Sequence, residues 1–264
     1  MKIHQIVFSP TGGTEKVCQY LCEGLGGETV FTDLCLRADR LQVPSIEADD
    51  VAVMYCGQGV EMAPVIAMPV FAGRVPAVTV ERLRGIDSCG ARCVVVAVYG
   101  NRAYDNALLE MCDVAAGMGF RVVAAVGAVA EHSIARVYGT GRPDAADRDE
   151  LAGFGRCVRE KLEGAVGPDT LCVPGNRPYR PLQKGPAPQA DGRCTGCGAC
   201  SALCPVGAIP SDNPGGVSEE LCISCMRCVS VCPNKARSIG PVEAMVTERL
   251  KPLCTVRKRN ELFV

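Results

Sequence analysis

The chain has no tryptophan, only 5% aromatic residues and two histidines among 264 residues. It also lacks an excess charge of either sign. The formal net charge is −1, which gives no general ground for binding nucleic acid or a membrane surface. Long apolar runs are missing too. The longest, such as Val122–Ala130, is far too short to span a bilayer. The N-terminus has one lysine and a short run ending in Ser9-Pro10, which reads as a strand rather than a signal peptide. No G-x-x-x-x-G-K-[ST] loop is present, and no G-x-G-x-x-G follows a strand. The nucleoside-triphosphate and dinucleotide classes therefore have no signature here.

Cysteine is abundant instead: there are 18. With no export signal, that number points to a reducing cytoplasm and away from a disulfide framework. Eight of them form two copies of C-x2-C-x2-C-x3-C-P. The first is Cys194, Cys197, Cys200, Cys204 and Pro205; the second is Cys222, Cys225, Cys228, Cys232 and Pro233. A cubane [4Fe–4S] cluster needs one soft thiolate per iron, and this spacing wraps three of them in a tight loop. In two-cluster proteins the fourth cysteine of each run serves the other cluster. Cys194, Cys197, Cys200 and Cys232 are then one ligand set; Cys222, Cys225, Cys228 and Cys204 are the other. Structural zinc more often uses two separated C-x2-C pairs, which fits less well. The segment has few large apolar residues and needs metal to hold its fold. The remaining cysteines show no second cluster pattern; Cys18 and Cys22 read as small buried hydrophobes on a helix.

Along the chain, strands are expected at 2–8, 28–33, 92–99 and 121–130, with 51–56 and 65–70 as candidates for a fifth. Helices are expected at 14–25, 103–117 and 145–163, the last with Pro143 and Asp144 at its start. Alternation of strands with helices, and apolar runs such as Val94-Val95-Val96-Ala97-Val98, argue an α/β fold with a parallel sheet buried on both faces. Five strands within 1–164 match the size of a flavodoxin-like domain. Residues 165–190 hold repeated prolines and read as a linker. A two-cluster ferredoxin domain is expected at 191–240, and 241–264 form an extension that folds back on the larger domain. Residues 1–164 carry 16 Lys+Arg against 21 Asp+Glu, and 165–264 carry 12 against 8. Part of that basic excess is Arg257-Lys258-Arg259, read as a solvated end or as a docking point for an acidic redox partner.

Ser9-Pro10-Thr11-Gly12-Gly13-Thr14 lies directly after the first strand and opens the first helix. Unpaired amides at such a helix start bind phosphate; the plain alternative is a turn capped by Thr14. The loop matches the flavodoxin pattern [ST]-x-T-G-x-T at Ser9, Thr11, Gly12 and Thr14, and the region resembles flavodoxins. The resemblance implies FMN, with Ser9, Pro10, Thr11, Gly12, Gly13 and Thr14 around its phosphate. Pro69–Pro76 resembles the second flavin loop, with Phe71 stacking on the ring and Ala72 and Gly73 giving it backbone access. Tyr99, Gly100 and Asn101 resemble the third loop, suited to stacking and pyrimidine contacts; the plain alternatives are that Phe71 is core and Tyr99 covers the sheet end. Glu131-His132-Ser133 ends the fifth strand on the same rim; His132 is the one candidate for acid–base chemistry, and the plain alternative is a packed or capping residue.

Over nearly its full length the chain resembles flavodoxin–ferredoxin fusion proteins, through SPTGGT, MPVFAGRVP, YGNRAYDNALLE, EHS and the two cysteine runs. The function this implies is electron transfer, with two [4Fe–4S] clusters relaying single electrons to or from FMN, and ferredoxin-type proteins as partners. Two alternatives stand beside it. One is an FMN-dependent oxidoreductase in which His132, Arg74 or Arg102 positions a small substrate. The other is a cluster-based redox or oxygen sensor.

Overall fold

The computed structural model describes residues 2–37, 40–41, 62–164 and 171–264. The candidate strand at 51–56 lies outside them. β1 (Lys2–Val7), β2 (Glu28–Asp33), β3 (Met62–Pro69), β4 (Arg92–Tyr99) and β5 (Arg121–Val129) pair in parallel in the order β2-β1-β3-β4-β5. That is the flavodoxin-like strand order.

Alternation along each strand feeds two cores. Ile6, Phe8, Ile66, Met68, Val95 and Ala97 face one side, where α2 (Ala77–Leu83) and α3 (Ala107–Gly117) cover them with Leu83, Leu108 and Met111. Ile3, Val7, Val65, Val94, Val96 and Val98 face the other, under α1 (Gly13–Leu25) and α4 (Ala145–Glu163). Each such side chain removed from water contributes about 1.5–3 kcal/mol. Cys18 and Cys22 lie within this second core. Asp144 caps α4 in a reciprocal box with Asp147, which fixes where that helix starts.

The sheet departs from a five-stranded one. A sixth strand, β8 (Glu261–Phe263), comes from the far end of the chain and pairs antiparallel with β5. Three residues carry no readable period, so the strand is defined by its docking. Asn260 accepts the Val129 amide at 2.8 Å and so sets the register. The Arg257–Arg259 segment is held through its backbone and through Arg257, while the side chains of Arg257 and Arg259 stay exposed as a solvated end. Arg257 pairs with Asp144 at 2.8 Å, and the Lys258 carbonyl accepts from Arg142 at 2.7 Å.

Between the sheet and the cysteine runs, the proline-rich segment straps across α3. Arg177 pairs with Asp113, and the Asn176 amide donates to Asn106. The cysteine-rich segment is held by the two-residue strands β6 (Gln189–Ala190) and β7 (Arg237–Ser238). It carries two one-turn helices, α5 (Ala199–Ala202) and α6 (Arg227–Ser230), and α7 (Val242–Cys254) then leads back to the sheet.

Candidate functional site: a cleft shared by the sheet and the cysteine runs

The two cysteine runs fold alike. Left-handed backbone recurs at matching places: Gly196 and Ser224, Gly198 and Met226, Gly207 and Lys235. These turns aim amides at sulfur. Ala208 N–H donates to Cys204 Sγ and Ala236 N–H to Cys232 Sγ, both at 3.2 Å, and Ser224 N–H reaches Cys222 Sγ at 3.4 Å. Cys194, Cys197, Cys200 and Cys232 line one narrow hollow together with Pro214 and Arg237. No three potential ligands among the described residues converge on a point suited to one metal ion. A cubane spreads its thiolates over four irons, so a hollow walled by cysteines is the geometry it requires.

Burial pushes the thiols of Cys225 and Cys228 up to about 12. Metal binding has to displace their protons, as thiolate ligation does in general. Burial also raises Cys232, but the amides of Ala236, Asn234 and Arg237 outweigh it and leave that thiol lowered. The donor set and its amide support fit [4Fe–4S] groups.

At the carboxyl ends of β1, β3, β4 and β5 the loops leave a cleft. Its narrower part, about 420 Å³, is lined by Pro10, Thr11, Gly13, Thr14, Phe71, Tyr99 and Gly100, and also by Cys225. Its wider part, about 950 Å³, continues over Gly12, Lys16 and His132 and is closed by Met226, Val229 and Ser230 of the second cysteine run. The two parts share Thr11, Gly13, Glu131 and Ser133.

Gly12, whose φ of 90° favours glycine, is the N-cap of α1, and no side chain caps the helix. Thr14 is therefore inside the helix and is not its cap. The amides of Thr11, Gly12, Gly13 and Thr14 find no acceptor among the described residues. Unpaired donors at a helix start, with Lys16 beside them, suit an anion. Lys16 itself donates to the Pro143 carbonyl at 2.9 Å.

Several expected contacts are placed elsewhere. Ser9 shapes the loop from beneath: its hydroxyl accepts the Glu15 amide at 2.9 Å, and its own amide donates to Cys35 Sγ. Ala72 and Gly73 form a tight turn with φ of 51° and 82°, closed by reciprocal Phe71–Arg74 backbone bonds. Gly73 faces Asp105, whose Oδ2 would lie 2.3 Å from an added Cβ, so neither residue lines the cleft.

Asn101 does not reach the cleft either. Its side-chain amide donates to the carbonyls of Cys254 and Val256, and its oxygen accepts the Lys258 amide. Tyr99 borders the cleft; its ring meets Tyr104 edge-on and its hydroxyl donates to the Arg259 carbonyl at 3.3 Å, so it also covers the end of the sheet. Gly100 allows close passage of His132, whose Cα would lie 2.7 Å from an added Cβ. His132 Nδ1 accepts the amides of Ile134 and Ala135, and burial lowers its pKa to about 4. Arg74 is paired with Glu110 and Arg102 with Asp105, and neither lines the cleft.

Contacts missed by motif reading join the two halves. Arg82 donates to the carbonyls of Leu34 and Pro205, which ties the sheet to the turn after Cys204. Arg227, between Cys225 and Cys228, reaches the Ser9 carbonyl at 3.4 Å. Neither residue type is part of a cysteine spacing, so no pattern marks them.

A family model described as a 4Fe-4S dicluster domain matches residues 193–236. The chain thus joins a flavodoxin-like sheet to a 4Fe–4S dicluster domain. The Protein NrfC homolog of Haemophilus influenzae is 44% identical over 46 residues, 16% of this chain; the match spans only about a fifth of that relative's length, 20%. Among solved structures, a flavodoxin from the domain Archaea aligns over 62% of this chain and 100% of its own, with 13% identity and a TM-score of 0.42. An FMN-dependent NADH-azoreductase from Bacillus anthracis str. Ames Ancestor aligns over 60% and 100%, with 14% identity and a TM-score of 0.36. Among the described residues no helix is long and apolar enough to cross a membrane.

Proposed function

We propose that this protein is an electron carrier that passes single electrons between two [4Fe–4S] clusters and an FMN held in the cleft. One observation carries this reading: Cys225, from the second ligand set, lines the same hollow as the phosphate-type loop and Phe71. A cluster bound there needs no large motion to meet a ligand in the cleft.

Cys194, Cys197, Cys200 and Cys232 would hold the first cluster, and Cys222, Cys225, Cys228 and Cys204 the second. The amides of Thr11 to Thr14, together with the Thr11 and Thr14 hydroxyls, would hold the phosphate, with Phe71 and Gly100 along the ring. Bound flavin accepts one or two electrons and so connects one-electron donors to two-electron chemistry. Cys197 is exposed, which gives the first set a face towards solvent where a ferredoxin-type partner would dock. A substrate-reducing role receives less support, because His132 is neutral and has its Nδ1 occupied.

The test is cofactor content after purification without oxygen. About eight irons and one FMN per chain are expected, from two four-iron clusters. Thr11→Ala combined with Thr14→Ala should weaken FMN binding by about tenfold or more, the equivalent of about 1.4 kcal/mol, with iron unchanged. Eight irons with no FMN uptake would overturn the flavin half of the reading.

A further inference from the structure

Arg237 belongs to neither cysteine run, yet it lies against both. It is 2% exposed and lines the hollow of the first ligand set. Its Nε donates to Cys200 Sγ at 3.3 Å. Nη1 donates to the Pro188 carbonyl at 3.0 Å, and Nη2 to the carbonyls of Gly216, at 2.8 Å, and Pro214. Among the described residues no carboxylate pairs with it, although most other arginines with a defined partner here do have one. A buried cation without a counter-anion is costly. The anionic groups that this site can offer are cysteine thiolates. Cys232 of the same set lines that hollow beside it.

We propose that Arg237 is the fixed counter-cation of the first cluster and raises that cluster's reduction potential more than it raises the second's. Reduction by one electron from a ferredoxin-type donor makes and breaks no bond; it adds one negative charge to the thiolate-bound group. A positive charge held by three carbonyls, with one N–H on a ligand sulfur, favours that added charge. Hydrogen bonds to sulfur and local net charge are recognised levers on such potentials. Direct contact is made with Cys200 alone, so the effect falls mainly on one of the two sites. The electron then rests at the solvent-facing site before it moves towards the cleft. This inference rests on the reading of the two ligand sets as clusters, which the iron count of the parent protein tests separately.

The experiment compares the full-length parent with Arg237→Gln and Arg237→Lys, loaded and handled without oxygen. Iron content is measured first. Both cluster potentials are then taken from a dithionite titration followed by electron paramagnetic resonance. The first cluster is assigned as the one whose signal changes in Cys197→Ser. In Arg237→Gln, reduction of the first cluster should become at least tenfold less favourable, a shift of about 59 mV downward for one electron, and the second should move less. Arg237→Lys keeps the charge and should show a smaller change at the same cluster. If Arg237→Gln loses iron, Arg237→Lys decides: a drop confined to the first cluster supports the proposal. Full iron with both potentials unmoved, or equal shifts in both, overturns it and leaves Arg237 as a strap between loops.

Discussion

Asn101 uses both ends of its side-chain amide on the C-terminal extension, in three hydrogen bonds to backbone groups. Truncation would leave buried donors and acceptors unpaired, each at about 1–3 kcal/mol. Asn101→Ala should therefore lower unfolding stability by about 2–4 kcal/mol in chemical denaturation, with less effect on FMN affinity than the double threonine variant. His132 makes a prediction about pH. Burial lowers its pKa from 6.5 to about 4 in the folded state. The unfolded chain therefore takes up a proton that the folded chain refuses. Its contribution to stability is complete above about 6.5 and declines as pH falls from there towards 4. His132→Asn, which can still accept an amide, should show a shallower loss of thermal stability between pH 7 and pH 5 than the parent. Asparagine and histidine at strand ends were legible as polar groups near a ligand. The capping role of His132 was the plainer of its two readings, but the capture of backbone carbonyls by Asn101 was not legible, because an amide serves backbone and ligand with the same chemistry.

At the scale of elements, the phosphate-type loop is held by the packing of α1 on α4. Gly155 lies against the Leu21 carbonyl, which would be 2.2 Å from an added Cβ, and Gly24 approaches the Ala152 carbonyl in the same way. Gly155→Ala must push the helices apart, at a cost of about 1–3 kcal/mol for overpacking. It should also weaken FMN binding, because the start of α1 moves with it. Gly153→Ala, two residues earlier on a different face of the same helix, with only the end of Arg156 nearby at 3.7 Å, should instead be neutral or stabilising by up to about 1 kcal/mol. Denaturation and flavin titration of the two variants check both statements. β1, β2, β4, β5, α1 and α4 could be read from apolar runs and helix period, since those patterns arise from burial on one or both faces. β8 could not, because three residues without alternation become a strand only once Asn260 and the edge of β5 are in place. α2 also escaped notice, being a short helix that follows Pro76 without a capping side chain.

At the scale of the whole molecule, the sequence showed two modules, and the structure shows how they meet. The cysteine spacings determine which residues can ligate a cluster, but spacing says nothing about which ligand faces the sheet. That follows from Arg82 and Arg227, which bind backbone carbonyls across the junction, and from Cys225, Met226 and Val229 along the cleft. The central claim is that an electron placed on the clusters reaches the cleft within one molecule. It is tested most directly by flash reduction of the FMN-loaded protein with a one-electron donor, following cluster and flavin absorbance together. The account predicts that flavin reduction follows cluster reduction with a first-order rate independent of protein concentration. A rate proportional to protein concentration, or reduced clusters beside a flavin that stays oxidised although its potential favours reduction, would contradict it.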